Sequence, residues 1–211
     1  MAAAWLLAAQ SGMAGTLAGT AHDFSAAAWG GGQVCVACHT PHNSIAAASN
    51  APLWNHTVTN TAYTLYASSS LTATMAPPTV GDKLCLSCHD GTVAVDSYRG
   101  SLGMPTPPGS TLISSANKIG TDLNVHHPSS FIYDTVLANA NGSLWDPASK
   151  VVTVGSGAQQ KTGSISTVML SGNQVQCSSC HDVHNTYTAT TKNLLKVSMS
   201  RSAMCFVCHS Y

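Results

Sequence analysis

The chain has 211 residues, enough for one ordinary domain or two small ones, and its eight basic and eight acidic side chains cancel to a formal net charge of zero. Charged residues make up only 8% of it and glutamate is missing altogether, which excludes long, charge-decorated amphipathic helices as its main material. A neutral surface so poor in charge also argues against nucleic acid or an anionic membrane as partner, and favours self-association.

Residues 1–14, opening Met1-Ala2-Ala3-Ala4-Trp5-Leu6-Leu7, read as the apolar part of an export signal or as an N-terminal arm. Gly12-Met13-Ala14 offers a small-residue cleavage site, but no Lys or Arg precedes Lys83. No apolar run reaches the roughly 18 residues of a membrane span. Residues 15–211 read as a single domain, because no linker is long enough to separate two.

An extended arm carrying His22 leads to the segment Cys35-Val36-Ala37-Cys38-His39. The Thr/Ser-rich alternation around Thr61–Tyr66 predicts a short strand or hairpin, closed by Pro77-Pro78. Gly81–Asp96 holds Cys85-Leu86-Ser87-Cys88-His89 and predicts a helix of one or two turns. Residues 99–116 are rich in Gly, Pro and Ser and read as loop. After His126-His127-Pro128 and the apolar stretch Phe131–Leu137, Lys150–Val154 sits between the turn formers Asp146-Pro147 and Gly155-Ser156-Gly157, a hairpin pattern. Cys177–His181 and Cys205–His209 fill the C-terminal region, with Lys192–Val197 between them as a short helix. The fold class expected is coil-rich and irregular, with a few short helices and β-hairpins.

Cys-x-x-Cys-His is the attachment sequence of a c-type haem. The two thiols bond to the porphyrin edge and the adjacent imidazole binds the iron. Four copies, with proximal ligands His39, His89, His181 and His209, use all eight cysteines of the chain. The expected cofactor is therefore haem c, four per chain, covalently held by Cys35, Cys38, Cys85, Cys88, Cys177, Cys180, Cys205 and Cys208. Four porphyrins would supply the apolar core that this composition lacks. Cys-x-x-Cys pairs also build zinc sites, but zinc does not require a histidine directly after the second cysteine. Cytochromes of this type mature after export, so an extracellular or periplasmic location is expected.

Ten histidines are present, which leaves six for four distal positions. His22, His42, His127, His184 and His56 are the distal candidates; His126 is weaker, because neighbouring side chains point apart in an extended segment. His42 and His184 each lie three residues after a proximal histidine, too close in sequence to reach the opposite face of the same porphyrin. If they bind iron, they serve neighbouring haems, which forces close haem packing. Imidazole on both faces of every iron leaves no open position, which suits electron transfer rather than an enzyme. Met75, Met104, Met169, Met199 and Met204 read as packing residues, and Trp29, Trp54 and Trp145 as core or haem-stacking side chains. Asn55-His56-Thr57 and Asn141-Gly142-Ser143 match the glycosylation sequon.

The repeat Cys-x-x-Cys-His-x-x-His-Asn at 35–43 and 177–185, with His22-Asp23-Phe24-Ser25, Pro52-Leu53-Trp54-Asn55, Cys85–Gly91, His127-Pro128 and Cys205–His209, resembles the doubled CxxCH multihaem cytochromes. It is most similar to the tetrahaem subunits of extracellular cytochrome nanowires, the OmcE type and its archaeal relatives. The resemblance implies an irregular fold around a continuous haem stack, with all irons bis-histidine ligated. It also implies a head-to-tail homopolymer in which one distal histidine, here His22 or His56, is donated by a neighbouring subunit. Other multihaem cytochromes or extracellular electron acceptors would be its partners. A monomeric periplasmic shuttle is the alternative, and a multihaem reductase a third.

Overall fold

The computed structural model describes residues 16–42, 44, 53–98, 111–186 and 193–210. The N-terminal segment read as signal or arm, Asn43, Pro52, Met104 and most of the loop at 99–116 lie outside the described residues.

The elements are short, as a chain with few aliphatic runs demands. Helix α1 (Val80–His89) is followed by strand β1 (Phe131–Ile132), helix α2 (Thr135–Asn141), strands β2 (Val151–Val154) and β3 (Lys161–Ser164), the single turn α3 (Ile165–Val168), strand β4 (Gln174–Val175), the single turn α4 (Cys177–Cys180) and helix α5 (Ala203–Cys208). Two two-stranded antiparallel ribbons result: β1 with β4, and β2 with β3, in which Val151 faces Ser164 and Val154 faces Lys161. The hairpin expected around Lys150–Val154 is the second of these.

Three segments differ from the sequence expectation. The helix at the second motif runs ten residues, longer than one or two turns. Thr61–Tyr66 is extended but joins only one bridge, Thr64 to Asp122, because no partner strand lies alongside. The stretch ending at Val197 is no helix where described: Leu194 takes a left-handed φ of 51°, and Leu195 bridges to His181. The backbone of the third motif claims the amides that a helix would have used.

Helix α2 shows local sequence control clearly. Asp134 caps it, its carboxylate accepting from the Leu137 amide at 2.9 Å, and Gly142 ends it at φ 73°.

The aliphatic core is lopsided. Phe131, Tyr133, Ala138, Val154, Ile165, Val168, Met169, Met204 and Val207 form one buried cluster, all from the C-terminal half. The N-terminal half has a chain of rings instead: Phe24 packs tilted against Trp29 at 5.1 Å and Trp29 against Tyr98 at 5.8 Å, with the Tyr98 hydroxyl donating to the Trp29 carbonyl. Tyr133 ties the core to α5 by donating to the carbonyls of Trp145 at 2.6 Å and Cys208 at 3.3 Å. Tyr133→Phe leaves the Trp145 carbonyl without this donor, while the Cys208 carbonyl keeps the Trp145 amide at 2.8 Å; the change should cost about 1 kcal/mol, read as a lowered denaturation midpoint. An unchanged midpoint would show that the Trp145 carbonyl finds another partner.

Candidate functional site

Each Cys-x-x-Cys-His segment closes into one helical turn. The His39 amide donates to the Cys35 carbonyl at 2.8 Å, His181 to Cys177 at 3.0 Å and His209 to Cys205 at 3.0 Å, while the second motif is the last turn of α1. Residues three apart on such a turn share a face, so both thiols of a pair are presented to one side. Backbone bridges pin three of the proximal histidines from behind: His39 to Trp54, His181 to Leu195 and His209 to Leu144.

The first motif shows how the pinning works. The Thr40 amide donates to the Leu53 carbonyl at 2.9 Å and the Asn55 amide to Cys38 at 2.8 Å. The Asn55 side chain, wholly buried, donates to the Val36 carbonyl at 2.7 Å. That burial gives the sequon at 55–57 a structural role and keeps a sugar from it. Asn55→Ala should cost about 2 kcal/mol of stability, measured by chemical denaturation, and a loss below about 0.5 kcal/mol would show that the bond does not hold the motif.

The four motifs lie close to one another. Cys38 of the first feels the Cys85 thiol of the second, and Cys88 feels Cys38. Helix α1 packs on α4, bringing Cys85 against Cys177, and Cys180 lies within electrostatic reach of Cys205 and Cys208. Burial, with the neighbouring thiols adding to it, pushes Cys38 up to about 11 and Cys88 and Cys208 up to about 12. Asp82 clasps the central junction: fully buried on α1, it accepts from the Cys177 amide at 2.7 Å and from the Ser130 hydroxyl.

The imidazoles meet in pairs. The rings of His22 and His89 have centroids 6.1 Å apart and planes at 89°, and those of His39 and His184 are also 6.1 Å apart, at 22°. An imidazole nitrogen sits about 2 Å from its metal, so two imidazoles on opposite sides of one iron place their centroids roughly 6 Å apart. For the nearly parallel pair, 6.1 Å is too long for stacked rings in contact. His127 lies beside His209, close enough to oppose its protonation; burial is the larger cause that lowers the His209 pKa. His22 is pushed down to about 4, by burial first and then by His89 and His181, so at neutral pH it holds the uncharged, ligating form.

Three of the other ring nitrogens are engaged in the way that orients metal ligands. The Nδ1 atoms of His89, His181 and His127 lie 2.9, 2.8 and 2.9 Å from the carbonyls of Asn117, Asn193 and Pro128, which turns each Nε2 outward. His56 is different. Only 2% exposed, it has Nδ1 2.8 Å from the Thr57 carbonyl and Nε2 between the Ala94 carbonyl at 3.0 Å and the Cys88 thiol at 3.4 Å, which places it away from the surface and beside the second motif. His126 is likewise committed, its Nε2 3.1 Å from the Ile119 carbonyl. His22 faces His89 of its own chain instead of reaching outward. His42 is exposed.

These residues fit c-type haem. Paired thiols, imidazole pairs at ligand spacing and Nδ1 atoms held on carbonyls are one set of reasons. Apolar side chains left on the surface are another: Leu53, Val125, Val183 and Phe206 are all exposed, and each neighbours a motif or candidate ligand. Unpartnered buried atoms among the described residues, His22 Nδ1, Trp54 Nε1, Asn55 Oδ1 and Asn185 Oδ1, flank the same places. When bound, haem iron supplies reversible one-electron transfer. Among the described residues, no three or more His, Cys, Asp or Glu side chains converge as a metal-ion cage, and the pairwise meeting of imidazoles is the reverse of a zinc cluster.

Residues 171–211 match the family model described as the doubled CXXCH motif. The match supports a multihaem c-type cytochrome. It spans the third and fourth motifs, and no curated protein matches the chain. Among the described residues, no helix is long and apolar enough to cross a membrane.

Sequence reasoning missed Asp82, Asn55 and the carbonyls behind the imidazoles. Asp82 carried a signal, an acidic residue at the start of the second motif's helix in a chain with few acids. The carbonyl partners carried none, since any residue supplies one.

Proposed function

We propose that this protein carries electrons through four bis-histidine c-type haems as the repeating subunit of an extracellular filament, and catalyses no substrate reaction itself. The observation that carries the electron-transfer reading is the pairing of His22 with His89 and His39 with His184 at ligand spacing, which closes both faces of those irons to substrate. His127 lies within electrostatic reach of His209 and is the candidate for a third pair.

His181 remains among the proximal ligands and His42 among the candidates. With His56 and His126 held on carbonyls, the exposed His42 is the one suited to leave its own chain, and the His181 iron of the next copy is the vacancy it suits. A joint of that kind runs head to tail and never closes, so it grows a filament. The low charge of the surface favours such association.

His42→Ala tests the joint. Native material should be filamentous by electron microscopy, and the variant should keep its haem yet sediment as single subunits. Native protein that stays monomeric at high concentration would favour a periplasmic shuttle and overturn the filament; filaments that persist in the variant would move the joint elsewhere.

A further inference from the structure

The unpartnered buried atoms of the described residues are not chemically alike. Asn55 Oδ1 and Asn185 Oδ1 can only accept a hydrogen bond, and His22 Nδ1 donates or accepts according to its tautomer. Trp54 Nε1–H can only donate. It sits on a side chain 9% exposed, where a donor without an acceptor is strongly destabilising. The indole therefore requires an acceptor from outside the described residues.

Its surroundings narrow the choice. The Trp54 backbone bridges to His39, and its ring stands edge-on to that imidazole, with centroids 6.1 Å apart and planes at 87°. The indole also meets His56 at 6.5 Å, and His56 Nε2 lies 3.4 Å from Cys88 Sγ. A c-type haem has few acceptors to offer. Iron takes the four pyrrole nitrogens, which leaves the two propionate carboxylates. These lie on the porphyrin edge opposite the vinyl positions that the cysteines bond. Through His56 the indole is on the Cys88 side of the second haem, at its thioether edge, away from the propionates of that haem. For the first haem it stands beside the iron ligand itself. No Lys or Arg precedes Lys83, so the segment around the first motif supplies no cation for a buried carboxylate, and a neutral N–H has to serve.

We propose that Trp54 Nε1–H donates to a propionate of the haem on Cys35–His39 and anchors the porphyrin edge opposite its two thioethers. An N–H bonded to a carboxylate where water is excluded is charge-assisted and strong. Cys35 and Cys38 then hold one edge of that porphyrin, His39 its iron and Trp54 its far edge. This rests on the haem reading above and adds a binding residue to it that lies outside the Cys-x-x-Cys-His sequence.

Resonance Raman spectroscopy of the intact, haem-loaded protein tests it, because the propionate bending band falls in frequency when a carboxylate loses a hydrogen bond. Trp54→Phe keeps a ring in place and removes the N–H. It should move a minor component of that band downward, with low-spin ligation and covalent haem mass as in the parent. In the parent protein, transfer to D2O should shift the same component slowly, since a buried N–H exchanges only on local opening. In His184→Ala, whose His39 iron loses its distal imidazole, that component should strengthen on excitation into the new high-spin absorption. A band unmoved in Trp54→Phe means that water holds the indole and overturns the assignment, as does a component that follows another iron. If Trp54→Phe fails to mature, the absence of a slowly exchanging component in the parent is sufficient to reject. Failure of the haem reading is seen separately, as a protein mass carrying no covalent haem.

Discussion

On the four-haem reading proposed above, replacing His22 with alanine is expected to turn one iron five-coordinate and high-spin while all covalent haem stays attached. The thioether residues and His89 are untouched, so attachment proceeds, but the imidazole whose ring centroid lies 6.1 Å from that of His89 is lost. The arm around His22 carries no second imidazole, and His56 is held at the Thr57 and Ala94 backbone beside Cys88. About a quarter of the haem absorbance should acquire high-spin character, and that site alone should bind an added ligand such as cyanide. His22→Met should restore a low-spin iron at higher potential. A fully low-spin alanine variant would mean that His22 is not the axial partner of His89.

Asp82→Ala is expected to cause the largest loss of stability of any single side chain away from the haem ligands. The carboxylate accepts from the Cys177 amide and the Ser130 hydroxyl in a fully buried position. Truncation strands both donors without water, at about 1–3 kcal/mol each, so a total near 3 kcal/mol follows. For a domain of this size that corresponds to roughly 6–12 °C in the melting temperature. Asp82→Asn keeps one acceptor and should cost about half as much. Calorimetry at matched haem content reads both. An alanine variant within about 1 kcal/mol of the parent would show that α1 and α4 are held by packing alone.

How much could be read in advance differs by residue. The thiols and proximal imidazoles were fully legible, because the chemistry dictates their spacing within one turn. The β2–β3 hairpin was legible because β-branched residues stand between turn formers. The burial of His56 was not legible, because its neighbours in sequence say nothing of the Ala94 carbonyl that reaches it from far along the chain. The same holds for Asp82, whose partners Ser130 and Cys177 lie in other elements. Long-range polar contacts leave no periodic trace, and a chain this poor in aliphatic runs depends on them heavily.

The pairing of His39 with His184 has a consequence for unfolding. Bridged by one metal, these two residues close a loop that takes in most of the chain, so the bond acts as a cross-link on the denatured ensemble. A loop of that length restricts the unfolded chain by about 5 kcal/mol in the chain-entropy view. The first and third motifs then cannot come apart independently, and the thinly packed N-terminal half borrows cooperativity from the well-packed C-terminal half. Losing that one coordination bond should split a single melting transition into two.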